Sequence, residues 1–199
     1  LFGDEGDDNL IGGPGDDDLT GGEGSDRLEG AGGTDTARYV TADAGLMADL
    51  EYQHLNNGDA LGDTFISVEN LEGTGHDDQL RGDGGDNLIL GGAGDDIIHG
   101  RWGNDTLNGG FGNDDLYGGG DTDHCVFERN FGADKIFGFG VHVNETIDFS
   151  DVHEITDFAD LAANHLTQIG SDVVITAGTN TLTLIDRSTT DLDALNFVF

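Results

Sequence analysis

The sequence is poor in the residues that usually cross-link or localise a small domain. Among 199 residues it has one cysteine, one proline, and seven Lys and Arg residues. A single cysteine excludes a disulfide within the chain, so a protein working in an oxidising compartment needs another cross-link. The shortage of basic residues argues against nucleic acid and anionic membranes as partners, because both bind through Lys and Arg. No apolar run approaches the ~18 residues of a transmembrane helix.

Acidic residues and glycine are correspondingly abundant. The chain has 41 Asp and Glu residues, a formal charge of -34, and 35 glycines. Hydrophobic residues make up 35% of the chain, whereas about 45–50% is usual for a globular domain. This composition alone is typical of a disordered acidic chain, and its charge favours cations as partners.

A nine-residue repeat argues against disorder. Four consecutive units start at Gly3 and end at Arg38, and six more start at Gly73 and end at Val126. The sixth place of each unit is Asp or, once, Asn: Asp8, Asp17, Asp26, Asp35, Asp78, Asn87, Asp96, Asp105, Asp114 and Asp123. The eighth place is always apolar: Leu10, Leu19, Leu28, Ala37, Leu80, Ile89, Ile98, Leu107, Leu116 and Cys125.

The unit length predicts a solenoid of short strands. Nine residues are too few for a helix and a return, but they suit a glycine-rich turn followed by a three-residue strand with its central side chain inward. Two units then form one coil, and alternate units stack in the same parallel sheet. The predicted inner faces are lined by Leu80, Ile98 and Leu116 on one side and by Ile89, Leu107 and Cys125 on the other.

Such a core is only one side chain thick per strand, which is too little apolar burial to offset the entropy of ordering so many glycines. Stacked turns also bring carboxylates together, and these repel unless a cation lies between them. Ca²⁺ takes six to eight oxygen ligands from carboxylates and backbone carbonyls. The absence of a Cys and His ligand set argues against Zn²⁺.

The units match the GGxGxDxUx pattern, and the chain therefore resembles the RTX (repeats-in-toxin) calcium-binding family. The resemblance implies an all-β parallel β-roll in two blocks, with about six Ca²⁺ ions between turns i and i+2. The implied carboxylate pairs are Asp8 with Asp26, Asp17 with Asp35, Asp78 with Asp96, Asn87 with Asp105, Asp96 with Asp114, and Asp105 with Asp123.

Further ligands are implied at the early places of the units, mainly through backbone carbonyl oxygens. These residues are Asp4, Gly6, Gly13, Gly15, Gly21, Glu23, Gly30, Gly32, Thr74, His76, Asp83, Gly85, Gly91, Gly92, Ala93, Gly94, Gly100, Arg101, Trp102, Gly103, Gly109, Phe111, Gly118 and Gly120. Asp63, in GDALGDT, is either one more ligand or a turn residue that caps its own backbone.

Several residues depart from the pattern. Asn87 offers an oxygen without charge, which predicts a weaker site, and His76 and Asp121 replace glycine at the two ends of the second block. Arg101 also replaces a glycine, and we expect it to be tolerated only at negative φ. Ala37 is a small core residue at the end of the first block, where we expect stacking to stop.

The chain divides into a first RTX block (1–38), a β insertion or lead-in (39–72), a second RTX block (73–126), and a β-rich C-terminal cap that also carries the secretion signal (127–199). Strands are predicted at 37–41, 46–51 and 64–71, and a hairpin at 172–177 and 180–186. One helix is predicted at 156–166, with Thr156 or Asp157 as its N-cap. The phenylalanines of the cap are expected to supply the conventional core that the repeats lack.

The sequence contains no catalytic pattern. HExxH and GxSxG are absent, and Cys125 occupies an inward place, which favours a structural thiol. We therefore expect a non-enzymatic fragment of a longer exported protein. The family implies an extracellular, Gram-negative protein that uses the type I secretion machinery, with any catalytic or adhesive domain upstream. Three other interpretations stay open: an accessory glycan-binding module of a polysaccharide-modifying enzyme, the spacer or cap of a large adhesin, and the C-terminal half of a secreted metalloprotease or lipase.

Overall fold

The computed structural model describes residues 1–140 and 145–199, and within them the strands form three sheets. The largest contains, in spatial order, β1 (Phe2–Glu5), β3 (Asp18–Glu23), β5 (Thr36–Arg38), β8 (Asn70–Glu72), β10 (Leu88–Ala93), β12 (Thr106–Phe111), β14 (His124–Val126), β16 (Thr146–Asp148) and β20 (Phe197–Val198). The second contains β17 (Leu166–Ile169), β18 (Asp172–Ala177), β19 (Asn180–Leu184), β15 (Ala133–Phe137), β13 (Asp115–Gly119), β11 (Ile97–Arg101), β9 (Gln79–Arg81) and β6 (Met47–Asp49). The smallest contains β2 (Asn9–Pro14), β4 (Arg27–Gly32) and β7 (Thr64–Ile66).

Alternation of strands between sheets makes the chain a parallel β-roll, as the repeat predicts. Strands of alternate units pair in parallel with a register of eighteen residues, so Ile89 lies opposite Leu107 and Ile98 opposite Leu116. Every eighth-place side chain is buried, and all of them belong to one apolar core. The prediction of two inner faces is confirmed, and Cys125 lies in this core at 3% exposure.

The expectation that stacking stops at Ala37 is wrong. Ala37 pairs in parallel with Leu71 of β8, and β8 pairs in turn with β10. The segment 39–72 also supplies β7, which ends the three-stranded sheet, and β6, which begins the eight-stranded one. The small side chain of Ala37 is accommodated in the core at 0% exposure, and the nine-stranded sheet runs without a break through both repeat blocks.

The expectation for Arg101 is also wrong, because its φ is +86°. This left-handed conformation costs about 1–2 kcal/mol for a residue with a side chain. The side chain offers compensating contacts: its guanidinium bonds both carboxylate oxygens of buried Asp49, at 2.9 and 2.7 Å, and lies 4.9 Å from the ring centroid of Tyr52. The guanidinium holds the pKa of Asp49 below its ordinary value against the opposing effect of burial.

The C-terminal region continues both large sheets. β16 pairs with β14, and β15 pairs with β13, so the last repeat strands are covered. The predicted hairpin is confirmed, because β18 and β19 are antiparallel. Phe127 packs against Phe131 and Phe149, with ring centroids 5.1 and 5.7 Å apart, and all three are almost fully buried.

The predicted helix is shorter and less regular than 156–166. An α-helical turn, α1 (Phe158–Asp160), is followed by a π-helical turn at Leu161–His165. Asp157 is its N-cap, and its side chain accepts the N–H of Asp160 at 2.8 Å. Within the described ranges, none of the helices has the length and apolar character needed to span a membrane.

Candidate metal centre

The sixth-place side chains form ladders along the roll. Beyond the first member of each ladder, a sixth-place carboxylate accepts a hydrogen bond from the backbone N–H of the sixth-place residue eighteen positions earlier. Asp96, for example, accepts from Asp78 at 2.8 Å, and Asp114 accepts from Asp96 at 2.8 Å. The pairs that the resemblance implies are therefore neighbours in space. They are Asp8 with Asp26, Asp17 with Asp35, Asp78 with Asp96, Asn87 with Asp105, Asp96 with Asp114, and Asp105 with Asp123.

The second oxygen of many of these carboxylates is buried and without a hydrogen-bond partner among the described residues. Buried polar oxygens are normally satisfied, so a row of them indicates a missing ligand. The oxygens are the Oδ2 atoms of Asp8, Asp17, Asp26, Asp35, Asp96, Asp105 and Asp114.

Glycine at the first place leaves room for these oxygens. A Cβ on Gly91 would collide with Asp96 Oδ2 and would lie 2.5 Å from the carbonyl oxygen of Gly109 in the next stacked turn. The same carboxylate contact exists at Gly100 with Asp105 and at Gly109 with Asp114. Carboxylate and carbonyl oxygens of successive turns therefore share a space that a side chain would fill.

The electrostatics of the metal-free site are unfavourable. Burial raises the pKa of Asp96 to about 8, of Asp105 to about 7 and of Asp114 to about 6, and neighbouring carboxylates add to the rise. Backbone hydrogen bonds oppose it only in part. These groups are either protonated or in need of a cation.

The donor set suits a hard cation with oxygen ligands. Across residues 1–140 and 145–199, no three or more His, Cys, Asp or Glu side chains converge into a metal cluster. The carboxylates are distributed along the ladders, so an ion between turns would take its remaining ligands from backbone carbonyls. Calcium accepts such a mixed oxygen shell, and the residues present fit it.

Comparison with known proteins agrees with this geometry. A family model described as the RTX calcium-binding nonapeptide repeat, in four copies, matches residues 2–37, 72–107 and 103–125. The chain carries RTX calcium-binding repeats. Together the matches span both repeat blocks, the segments that contain the sixth-place ladders.

Two solved structures resemble this chain. The AlgE6R3 subunit of the Azotobacter vinelandii mannuronan C5-epimerase is 28% identical, with a TM-score of 0.51 over 62% of this chain and 78% of that one. The extracellular lipase LipA of Serratia marcescens is 19% identical, with a TM-score of 0.47 over 100% of this chain and 39% of the lipase. A comparison with curated proteins found no match.

The structure distinguishes among the candidate RTX ligands. Asn87 turns its amide nitrogen to the Glu69 carbonyl at 2.7 Å, and its Oδ1 accepts the Asp83 N–H. Asp63 extends the ladder of Asp8 and Asp26, because its Oδ1 accepts the N–H of Asp26 at 2.8 Å. The other oxygen of Asp63 accepts the Tyr39 hydroxyl at 2.7 Å, so a protein donor already occupies it.

The early-place residues lie at the ends of the strands and in the turns that follow them. Most glycines at the second and fourth places adopt positive φ. A Cβ added to Gly92 would collide with the Thr74 carbonyl oxygen of the preceding stacked turn, and one added to Gly94 would collide with the backbone of His76. Thr74 in addition donates its N–H to Asp78 Oδ2 at 2.6 Å, which satisfies that carboxylate from within its own turn.

The nine-residue register misses two ladder members. Glu69 accepts the N–H of Asp35 at 2.9 Å, and Asp134 accepts the N–H of Asp114 at 2.9 Å. Each lies two residues before a buried aliphatic, Leu71 and Ile136, as every sixth place does. A shorter sequence pattern, an acidic residue, any residue and then an aliphatic residue, could have identified Glu69 and Asp134 without reference to the glycines.

The raised pKa values predict that the metal-free repeats gain order at low pH. Between about pH 4 and pH 8 the folded metal-free chain holds more protons than the unfolded chain, and its own stability therefore falls as pH rises. In calcium-free solution we expect any residual β-structure, followed by circular dichroism, to increase as pH is lowered from about 8 to about 5. A β signal that decreases over this range would contradict the burial of Asp96 and Asp105 in the metal-free fold.

Proposed function

We propose that this chain is a calcium-dependent folding module of a secreted protein, ordered outside the cell after type I secretion. The observation that carries the proposal is the row of buried carboxylate oxygens without partners along the sixth-place ladders. A chain of charge -34 can stay extended where calcium is scarce and fold where it is abundant.

About six ions would bind between stacked turns, with the sixth-place carboxylates and early-place carbonyls as ligands. They would add about +12 and bring the net charge from -34 to about -22. The module itself performs no chemistry in this proposal, and any activity of the parent protein resides in other parts of that protein.

The position of a carboxylate in its ladder predicts its importance. Asp96 lies between Asp78 and Asp114 and would bind two ions. Asp78 would bind one, because its neighbour on the other side is Leu46, whose N–H it accepts. We expect Asp96→Ala to raise the calcium midpoint by about tenfold or more, and Asp78→Ala to raise it by less. Calcium titrations followed by circular dichroism measure both midpoints.

The ladder of Asn87, Asp105 and Asp123 offers an independent comparison. Asp105→Ala should raise the calcium midpoint more than Asp123→Ala does, because Asp105 lies inside the repeat array and Asp123 at its end. Asp18→Ala, at an exposed position next to the ladder, is the control. Equal midpoints for all of these variants would refute the shared-ligand arrangement.

A second candidate function, binding of an acidic polysaccharide, is favoured by one outer cavity. The basic residues look scattered in sequence, but Arg81, His99 and Arg101 line this cavity together on the eight-stranded sheet. His99 also begins a stack with Tyr117 and Phe137, with ring centroids 4.3 and 4.4 Å apart. The similarity to a subunit of a mannuronan-modifying enzyme supports the same candidate.

Arg81 is the residue to test, because its ion pair with Asp49 is long, at 3.9 Å, whereas Arg101 holds both oxygens of that carboxylate at 2.9 and 2.7 Å. We expect Arg81→Ala to weaken binding to a polyuronate by about tenfold at fixed calcium concentration, measured by calorimetry, since one charge-assisted hydrogen bond contributes roughly 1.5–3 kcal/mol. Arg27→Ala, on the three-stranded sheet, is the matched control. If the unchanged protein shows no heat of binding, this second function is excluded.

A further inference from the structure

The C-terminal cap contains the second half of a repeat turn. Gly132, Asp134 and Ile136 have the spacing of the fourth, sixth and eighth places of a unit. They lie beyond the matched repeats, which end at residue 125. The spacing from Asp114 to Asp134 is twenty residues instead of eighteen, so the nine-residue register does not reach them.

The contacts of a genuine turn are reproduced there. The Ala133 N–H bonds Asn113 Oδ1 at 3.1 Å, as the Asn113 N–H bonds Asp95 Oδ1 at 2.8 Å one coil earlier. The Lys135 N–H bonds the Asp114 carbonyl at 2.8 Å, the equivalent of the bond from Asp115 to Asp96 at 2.9 Å.

The backbone conformation at Gly132 also resembles that of a repeat turn. Gly132 has a positive φ of +89°, as the fourth-place glycines Gly94 and Gly112 have at +119° and +145°. It faces the carbonyl oxygen of Gly112 as Gly112 faces that of Gly94. A carbonyl oxygen therefore lies in the gap between the last full turn of this ladder and the cap.

Two buried carboxylates meet at this gap. Asp134 is 1% exposed and Asp114 is 0% exposed, and Asp114 Oδ2 has no hydrogen-bond partner in the described part of the chain. Lys135, the adjacent cation in sequence, places its Nζ 2.8 Å from Asp115 on the outer surface. Lys135 therefore does not neutralise the buried pair of Asp114 and Asp134.

We infer that a divalent cation, calcium under the proposed function, binds between Asp114 and Asp134 and joins the cap to the roll. Its ligands are oxygens of these two carboxylates and the Gly112 carbonyl. The inference rests on the proposed function and adds to it a site outside the repeats. Calcium then fixes the cap directly to the roll, whereas the other ions join repeat turns to each other.

The test is a count of ions on the full chain. Asp134→Asn keeps an oxygen that can accept the Asp114 N–H, so strand pairing should survive, but it removes the charge. Calorimetric titration with calcium should show one ion fewer than in the unchanged chain, or one ion weakened by at least about tenfold. Asp151→Asn, at an exposed position of the same region, should keep the full count.

The outcomes separate this site from the proposed function. If the unchanged chain binds no calcium, the proposed function fails with it. If the unchanged chain binds calcium and folds, and Asp134→Asn binds the same number of ions with the same affinity, only the cap site is overturned. Should Asp134→Asn fail to fold, Asp134→Glu decides: recovery of fold and ion count supports a carboxylate ligand, and loss in both variants shows a packing role and overturns the site.

Discussion

Removing calcium with excess EGTA should abolish most of the β-structure of the repeat blocks. In the metal-free fold, repulsion between stacked carboxylates and the burial of Asp96 and Asp105 oppose a core that is one side chain thick. We expect the circular dichroism signal of β-sheet to appear only with calcium. The radius of gyration should approach about 48 Å, the unfolded value for this length, without calcium, and fall to about 16 Å with calcium.

Two controls separate specific binding from charge screening. Sodium chloride at about 1 M shortens the Debye length to about 3 Å and weakens repulsion between exposed carboxylates without supplying an ion of the right charge. Magnesium prefers six ligands in strict octahedral geometry and keeps its water, so it should substitute poorly. A chain that is compact and fully β-structured in EGTA, or that folds equally well in either control salt, would refute calcium-dependent folding.

The sequence predicts the repeated part of the fold well because a single period sets it. Once Asp and a buried aliphatic recur every nine residues, the turn, the short strand and the parallel stacking follow from glycine conformation and side-chain alternation. The sixth-place pairs follow as well, since stacking at eighteen residues brings Asp78 beside Asp96 and Asp96 beside Asp114.

The misses have causes that the nine-residue period alone does not show. Stacking continues past Ala37 because β8, supplied by an irregular segment, pairs with β5. Arg101 adopts positive φ as the second-place residues Asp4 and Ala31 do, so the backbone of the turn imposes this conformation. Its guanidinium then pairs with Asp49, fifty-two residues earlier. Asp134 lies outside the register because the cap inserts two residues before it.

Deleting the C-terminal cap should prevent calcium-induced folding or weaken it greatly. A chain that ends at Val126 loses β15 and β16, which pair with β13 and β14, and it exposes Cys125 at the open end of the core. Repeat arrays gain stability mainly from neighbouring units, so an uncovered end is costly. We expect the calcium midpoint of this chain, measured by circular dichroism, to rise by at least about tenfold relative to the full chain.

Deleting residues 1–38 is the companion experiment. It removes β1–β5 and exposes the edge of β8, yet the second block keeps its cap and its own ladders. Its calcium transition should therefore stay closer to that of the full chain than the transition of the chain ending at Val126. Since the nine-stranded sheet is continuous, some loss of stability is expected here as well.

A point substitution tests the cap without truncation. Phe131 is 1% exposed and packs against Phe127, so Phe131→Ala should destabilise the calcium-loaded chain by about 3–5 kcal/mol through the cavity it leaves. Phe111→Ala, at 56% exposure on a repeat turn, is the matched control and should change stability little. If the cap starts folding, Phe131→Ala also raises the calcium midpoint of the repeat blocks, although Phe131 lies outside them. Folding of the chain ending at Val126 at the same calcium concentration as the full chain would show that the cap does not initiate the roll.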